Sequence, residues 1–139
     1  MMMIVKNYTF QGVEYMVCNT AEGYVPGTAA RELLADRRHG VGADRILFVN
    51  PLGGQELQVF AADGRATEAG IHDWLIFALY LRQEGLTANA AEFARELGDQ
   101  ALVRLQTVLS EVSFFEAHVT TDFCHRMEAI DKRTEMMAC

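Results

Sequence analysis

Thr67-Glu68-Ala69-Gly70-Ile71-His72-Asp73-Trp74-Leu75-Ile76-Phe77-Ala78-Leu79-Tyr80-Leu81-Arg82-Gln83 is the stretch whose reading decides how this chain folds. Its centre, Trp74 to Leu81, is an unbroken apolar run of eight residues with no polar stripe at a period of 2 or of 3.6. A segment of this length is too long for an ordinary strand and reads as a helix buried on nearly all sides. Gly85, one step past Glu84, supplies the stop. The run falls far short of the roughly 20 residues a membrane-spanning helix needs, so the remainder of the chain has to cover it.

Working outward, Tyr8 to Asn19 carries β-branched and aromatic residues at strand spacing. Thr28 to Arg38 places Ala30, Leu33, Leu34 and Arg37 on one helical face, with Thr28 as the expected N-cap. Ile46 to Asn50 and Leu57 to Ala61 are short apolar runs on either side of the Pro51 to Gly54 turn, which predicts a hairpin. Beyond the central helix, Ala91 to Leu97, Ala101 to Leu109 and Val112 to Val119 read as strands. In Thr120 to Cys139, Phe123, Met127 and Ile130 form a stripe among charges, an amphipathic helix with Thr121 or Asp122 as cap. The expected fold is α+β, a mixed sheet wrapped around a central hydrophobic helix. Residues 1–119 form the domain and 120–139 a C-terminal amphipathic tail helix.

At 139 residues the chain has room for one domain against a prior of about 150 residues each. Half of it is hydrophobic, enough for a core. Lys and Arg number 12 and Asp and Glu 19, a net charge of −7. With no basic block, such a chain is repelled by phosphate backbones and anionic lipid surfaces, so neither nucleic acid nor membrane is expected as a partner. Met1 to Lys6 lacks the pattern of a secretory signal, which makes a cytoplasmic location the expectation. Cys18, Cys124 and Cys139 form an odd set without CxxC spacing; they read as reduced thiols, and no metal site is indicated. Gly40-Val41-Gly42 lacks the third glycine and the strand-before, helix-after setting of a phosphate loop.

Two segments, in order, carry a resemblance. Arg37-Arg38-His39-Gly40-Val41-Gly42-Ala43-Asp44 is followed by Val59-Phe60-Ala61-Ala62-Asp63-Gly64, with a fainter match at Phe10-Gln11-Gly12-Val13-Glu14-Tyr15. Together they resemble diaminopimelate epimerase over roughly residues 4–119, the first of that family's two similar domains. The resemblance implies a mixed sheet curled around a central helix, with an A-D-G turn leading into it. It also implies cofactor-free inversion at an amino-acid α-carbon by two thiols, one from each domain, with the substrate carboxylate resting on backbone N–H groups at helix starts.

Carried over residue by residue, the resemblance puts Gly70 at the family's cysteine and Ile71, His72 and Asp73 at the glycine, asparagine and glycine that follow. The amide of the N-terminal motif becomes Val13, the amide before A-D-G becomes Ala61, and a substrate-contacting glutamine of some members becomes Arg45. No catalytic residue is therefore assigned. The positions that would line a substrate are Val13, Arg45, Ala61, Gly70 and His72. Gly40, Gly42 and Asp63-Gly64, which serve the backbone, are kept; Asp63 reads as an Asx-turn residue. Asp73 reads as a charge at the positive end of the helix, which opposes a second carboxylate there. Cys18 reads as a small buried hydrophobe, His39 with Arg37 and Arg38 as the solvated basic end of the Thr28 helix, and Cys124-His125 as neighbours about 100° apart that do not face each other. Met136 and Met137 read as tail.

The expected function is a non-catalytic homologue of this family that binds a small molecule or assembles, as a homodimer or with a separately encoded second half, and needs no cofactor. The alternative is a cofactor-independent amino-acid racemase, epimerase or related isomerase whose site is rebuilt at an oligomer interface from His72, Asp73 or Cys124.

Overall fold

In a computed structural model the described residues are 3–20, 25–50, 57–85 and 112–137. Six strands, β1 (Met3–Phe10), β2 (Val13–Asn19), β3 (Arg45–Val49), β4 (Leu57–Ala61), β5 (Ala66–Thr67) and β6 (Ser113–Val119), make one sheet in the order β5-β4-β3-β2-β1-β6. Among the described residues only β2 and β3 run parallel and every other neighbour is antiparallel, so the sheet is mixed and the fold α+β. The helices are α1 (Thr28–Ala35), α2 (Ile71–Gln83) and α3 (Thr121–Met137).

Alternation along the strands divides the core into two layers. Tyr8, Phe10, Tyr15, Val17, Leu47, Val49 and Val59 turn to α2. Val5, Met16, Cys18, Ile46, Phe48 and Phe60 turn to α1 and α3 on the opposite face. The central strands β2 and β3 are apolar on both faces because both faces are covered. Every residue of α2 from Leu75 to Leu81 is buried, which explains the absence of a polar stripe. Gly85 ends it in a left-handed conformation, φ 82°, with its N–H donating to the Arg82 carbonyl.

Several local expectations change. Tyr8 to Asn19 is the end of one strand and all of another, reversed at Gln11-Gly12, where both residues have positive φ (52° and 79°). A two-residue hairpin loop requires that conformation to match strand twist, and Gln at the first position hid the turn. The helix expected over Thr28 to Arg38 stops at Ala35. Asp36 is extended, and N–H groups of the following loop take up the last carbonyls: Val41 and Gly42 donate to Leu34, and Ala43 to Ala35. Arg37, Arg38 and His39 therefore lie beyond the helix, exposed as expected.

Thr28 is the first helical residue, not the cap; Gly27 holds that position, and its N–H donates to the Asp131 carboxylate of α3 at 2.9 Å. α3 begins where expected, but its cap is Thr120, whose Oγ1 accepts the Phe123 N–H. Its stripe is turned onto its own chain: Met127 is fully buried and Phe123 packs against the same layer as α1. β3 and β4 pair antiparallel as a hairpin requires. The connection at 51–56 and the strands expected at 91–97 and 101–109 lie outside the described residues. Among the described residues no helix is long and apolar enough to cross a membrane.

Candidate functional site at the start of the central helix

Register builds this site. Parallel pairing sets Tyr15 of β2 beside Arg45 of β3, and antiparallel pairing sets Arg45 beside Ala61 of β4. Directly paired residues share a face, so these three form a row across the sheet on the side that carries α2. Val13 continues the same face two residues from Tyr15.

Above that row α2 starts at Gly70, and Asp73 in its first turn is 2% exposed. A buried carboxylate needs partners, and Asp73 accepts three strong hydrogen bonds from two of them. Arg45 grips it with two bonds, Nε to Oδ1 at 2.7 Å and Nη2 to Oδ2 at 2.6 Å, while the Gly70 N–H donates to Oδ2 at 2.7 Å. Arg45 Nη2 also reaches the Glu68 carbonyl at 3.3 Å. This is half of a capping box: the N3 carboxylate reaches back to the cap N–H, but glycine has no side-chain oxygen with which to reciprocate.

The electrostatics follow from the geometry. Hydrogen bonding to Asp73 holds the Arg45 guanidinium more firmly protonated than usual. Burial, reinforced by the Asp73 charge, pushes the Tyr15 phenol up, so it stays neutral. The expectation that Asp73 repels a second carboxylate needs amending, because Arg45 offsets its charge at contact distance. An Asp73 oxygen already sits on the Gly70 N–H, and the fork of Arg45 is taken up, so these two donors are occupied.

His72 is half-buried, with its ring edge-on to Phe10 at 5.2 Å. Val13 is half-buried against the α2 layer. Ala61 closes the turn into β5, accepting the Gly64 N–H. Within that turn Asp63 Oδ1 accepts the Arg65 N–H at 3.1 Å, the Asx arrangement expected of it, and this bond holds the Asp63 carboxyl below its ordinary range. Cys124 does not approach the site; it is fully buried with Cys18 in the layer behind the sheet. The sheet thus lies between His72 or Asp73 and either described thiol. Cys139 is outside the described residues.

Tyr15 and the Glu68 carbonyl belong to this site and were missed. Tyr15 follows the candidate Val13 by one strand period, which was a usable signal for its face. Its alignment with Arg45 depended on the parallel pairing of β2 with β3.

Comparison with known proteins finds similar sequences. No family model matches the chain. A diaminopimelate epimerase of Acidovorax ebreus is 34% identical over 116 residues, covering 80% of this chain and 35% of that protein. Another, of Albidiferax ferrireducens, is 38% identical over 85 residues, covering 58% of this chain and 29% of that protein. The chain is diaminopimelate epimerase-like. It spans about a third of the length of these curated relatives.

In this epimerase-like chain the segments that carry the resemblance do backbone work. The Gly40 to Ala43 loop saturates the end of α1. Asn7 Nδ2 donates to the Gly42 carbonyl at 2.8 Å. Asp44 accepts the Glu14 N–H and an Arg37 Nη2 hydrogen, both at 2.9 Å, tying the loop to β2. Gly64 lies against the first turn of α1, where Arg31 donates to its carbonyl at 3.0 Å.

Proposed function

We propose that this diaminopimelate epimerase-like chain is a non-catalytic homologue that works as part of an assembly, with a second copy or a separately encoded half. The supporting observation is the start of α2. The position that the resemblance gives to a thiol is Gly70, and the N–H of that same residue is held by Asp73, itself gripped by Arg45. An inversion that relies on a thiolate base and a thiol acid has no sulfur at this point, and two of the donors beside it are already occupied. Loss of a positioned proton-transfer group costs a factor of about 10²–10⁴ in rate, and loss of a preorganised hydrogen-bond donor about 10²–10³ more.

The test is solvent exchange at the α-carbon. Diaminopimelate incubated with the protein in deuterated water is expected to acquire deuterium at the rate of the buffer blank. Exchange above the blank that a thiol alkylator abolishes would overturn the proposal and favour a site completed by another chain.

A further inference from the structure

We draw no further inference here: the strongest candidate, the cavity of about 150 Å³ between the C-terminal end of α2 and the β1–β6 side of the sheet, where Lys6 Nζ lies 2.8 Å from Glu84 beside Tyr80 and Glu116, carries nothing because residues 86–111, which run on from the end of α2 towards β6, lie outside the described residues and nothing in the structure shows what covers it.

Discussion

Glycine stands at three critical points of this chain, and the space around it differs between them. At Gly40 an added Cβ would come within 2.1 Å of the Leu33 carbonyl oxygen. At Gly64, φ is +86° and the Cβ would come within 2.3 Å of the Thr28 carbonyl oxygen. At Gly70 the nearest atom is Asp73 Oδ2 at 3.7 Å, an ordinary contact, and φ is −88°, which any residue adopts. The first two glycines are demanded by packing. The third is permitted, so the backbone gives no reason for the position to be glycine. Motif positions that the fold needs are kept, and the position where the resemblance places a reacting thiol is occupied by a residue the fold does not require.

The comparison breaks most sharply at the turn. Gly64→Ala combines a strained backbone with overlap against the main chain of α1, neither of which a rotamer change relieves. A loss of about 3 kcal/mol or more in urea denaturation is expected. A loss within about 0.5 kcal/mol, the usual scale of an unconstrained surface change, would remove the packing argument for the motif glycines.

Asp73→Asn should have an intermediate effect. It keeps the shape but leaves Arg45 without its ionic partner. Breaking one side of a buried pair costs about 3–5 kcal/mol; because the Arg45 side chain is 29% exposed, solvent recovers part of that, and about 2 kcal/mol is expected. The same variant should bind sulfate or acetate more tightly by calorimetry, since Arg45 and the Gly70 N–H regain capacity for an anion. Unchanged anion affinity would count against occupancy of these two donors as a limit on anion binding.

Gly70→Cys should have the smallest effect, within about 0.5 kcal/mol by thermal or chemical denaturation. The thiol should be accessible to alkylation, as glycine at this position is exposed. A large destabilisation would show that the fold does constrain the position, and the contrast with Gly64 would fail.

Much of this architecture was legible locally. The apolar run Trp74 to Leu81 reported a helix buried all round, and Gly85 its end. Asp63-Gly64 reported an Asx turn. The apolar runs at Ile46 and Leu57 reported a hairpin, because strand periodicity and turn chemistry act over a few residues. The misread points are also local: a hairpin loop that begins with Gln11, and a helix that stops at Ala35 because a loop beyond it satisfies its carbonyls.

The sequence by itself determined the α+β class, the central helix, the glycine-bearing turns and the absence of a thiol at Gly70. Only the tertiary structure decided that Arg45 grips Asp73 from 28 residues away, that Tyr15 lies beneath them, and that Asp131 caps α1 from 104 residues along the chain. It also decided that the stripe of α3 packs on its own domain. The physical reason is the range of the signal. Periodicity, capping and turn residues act within a few positions, whereas a buried ion pair or a distant cap depends on strand register and layer order, which no local pattern encodes.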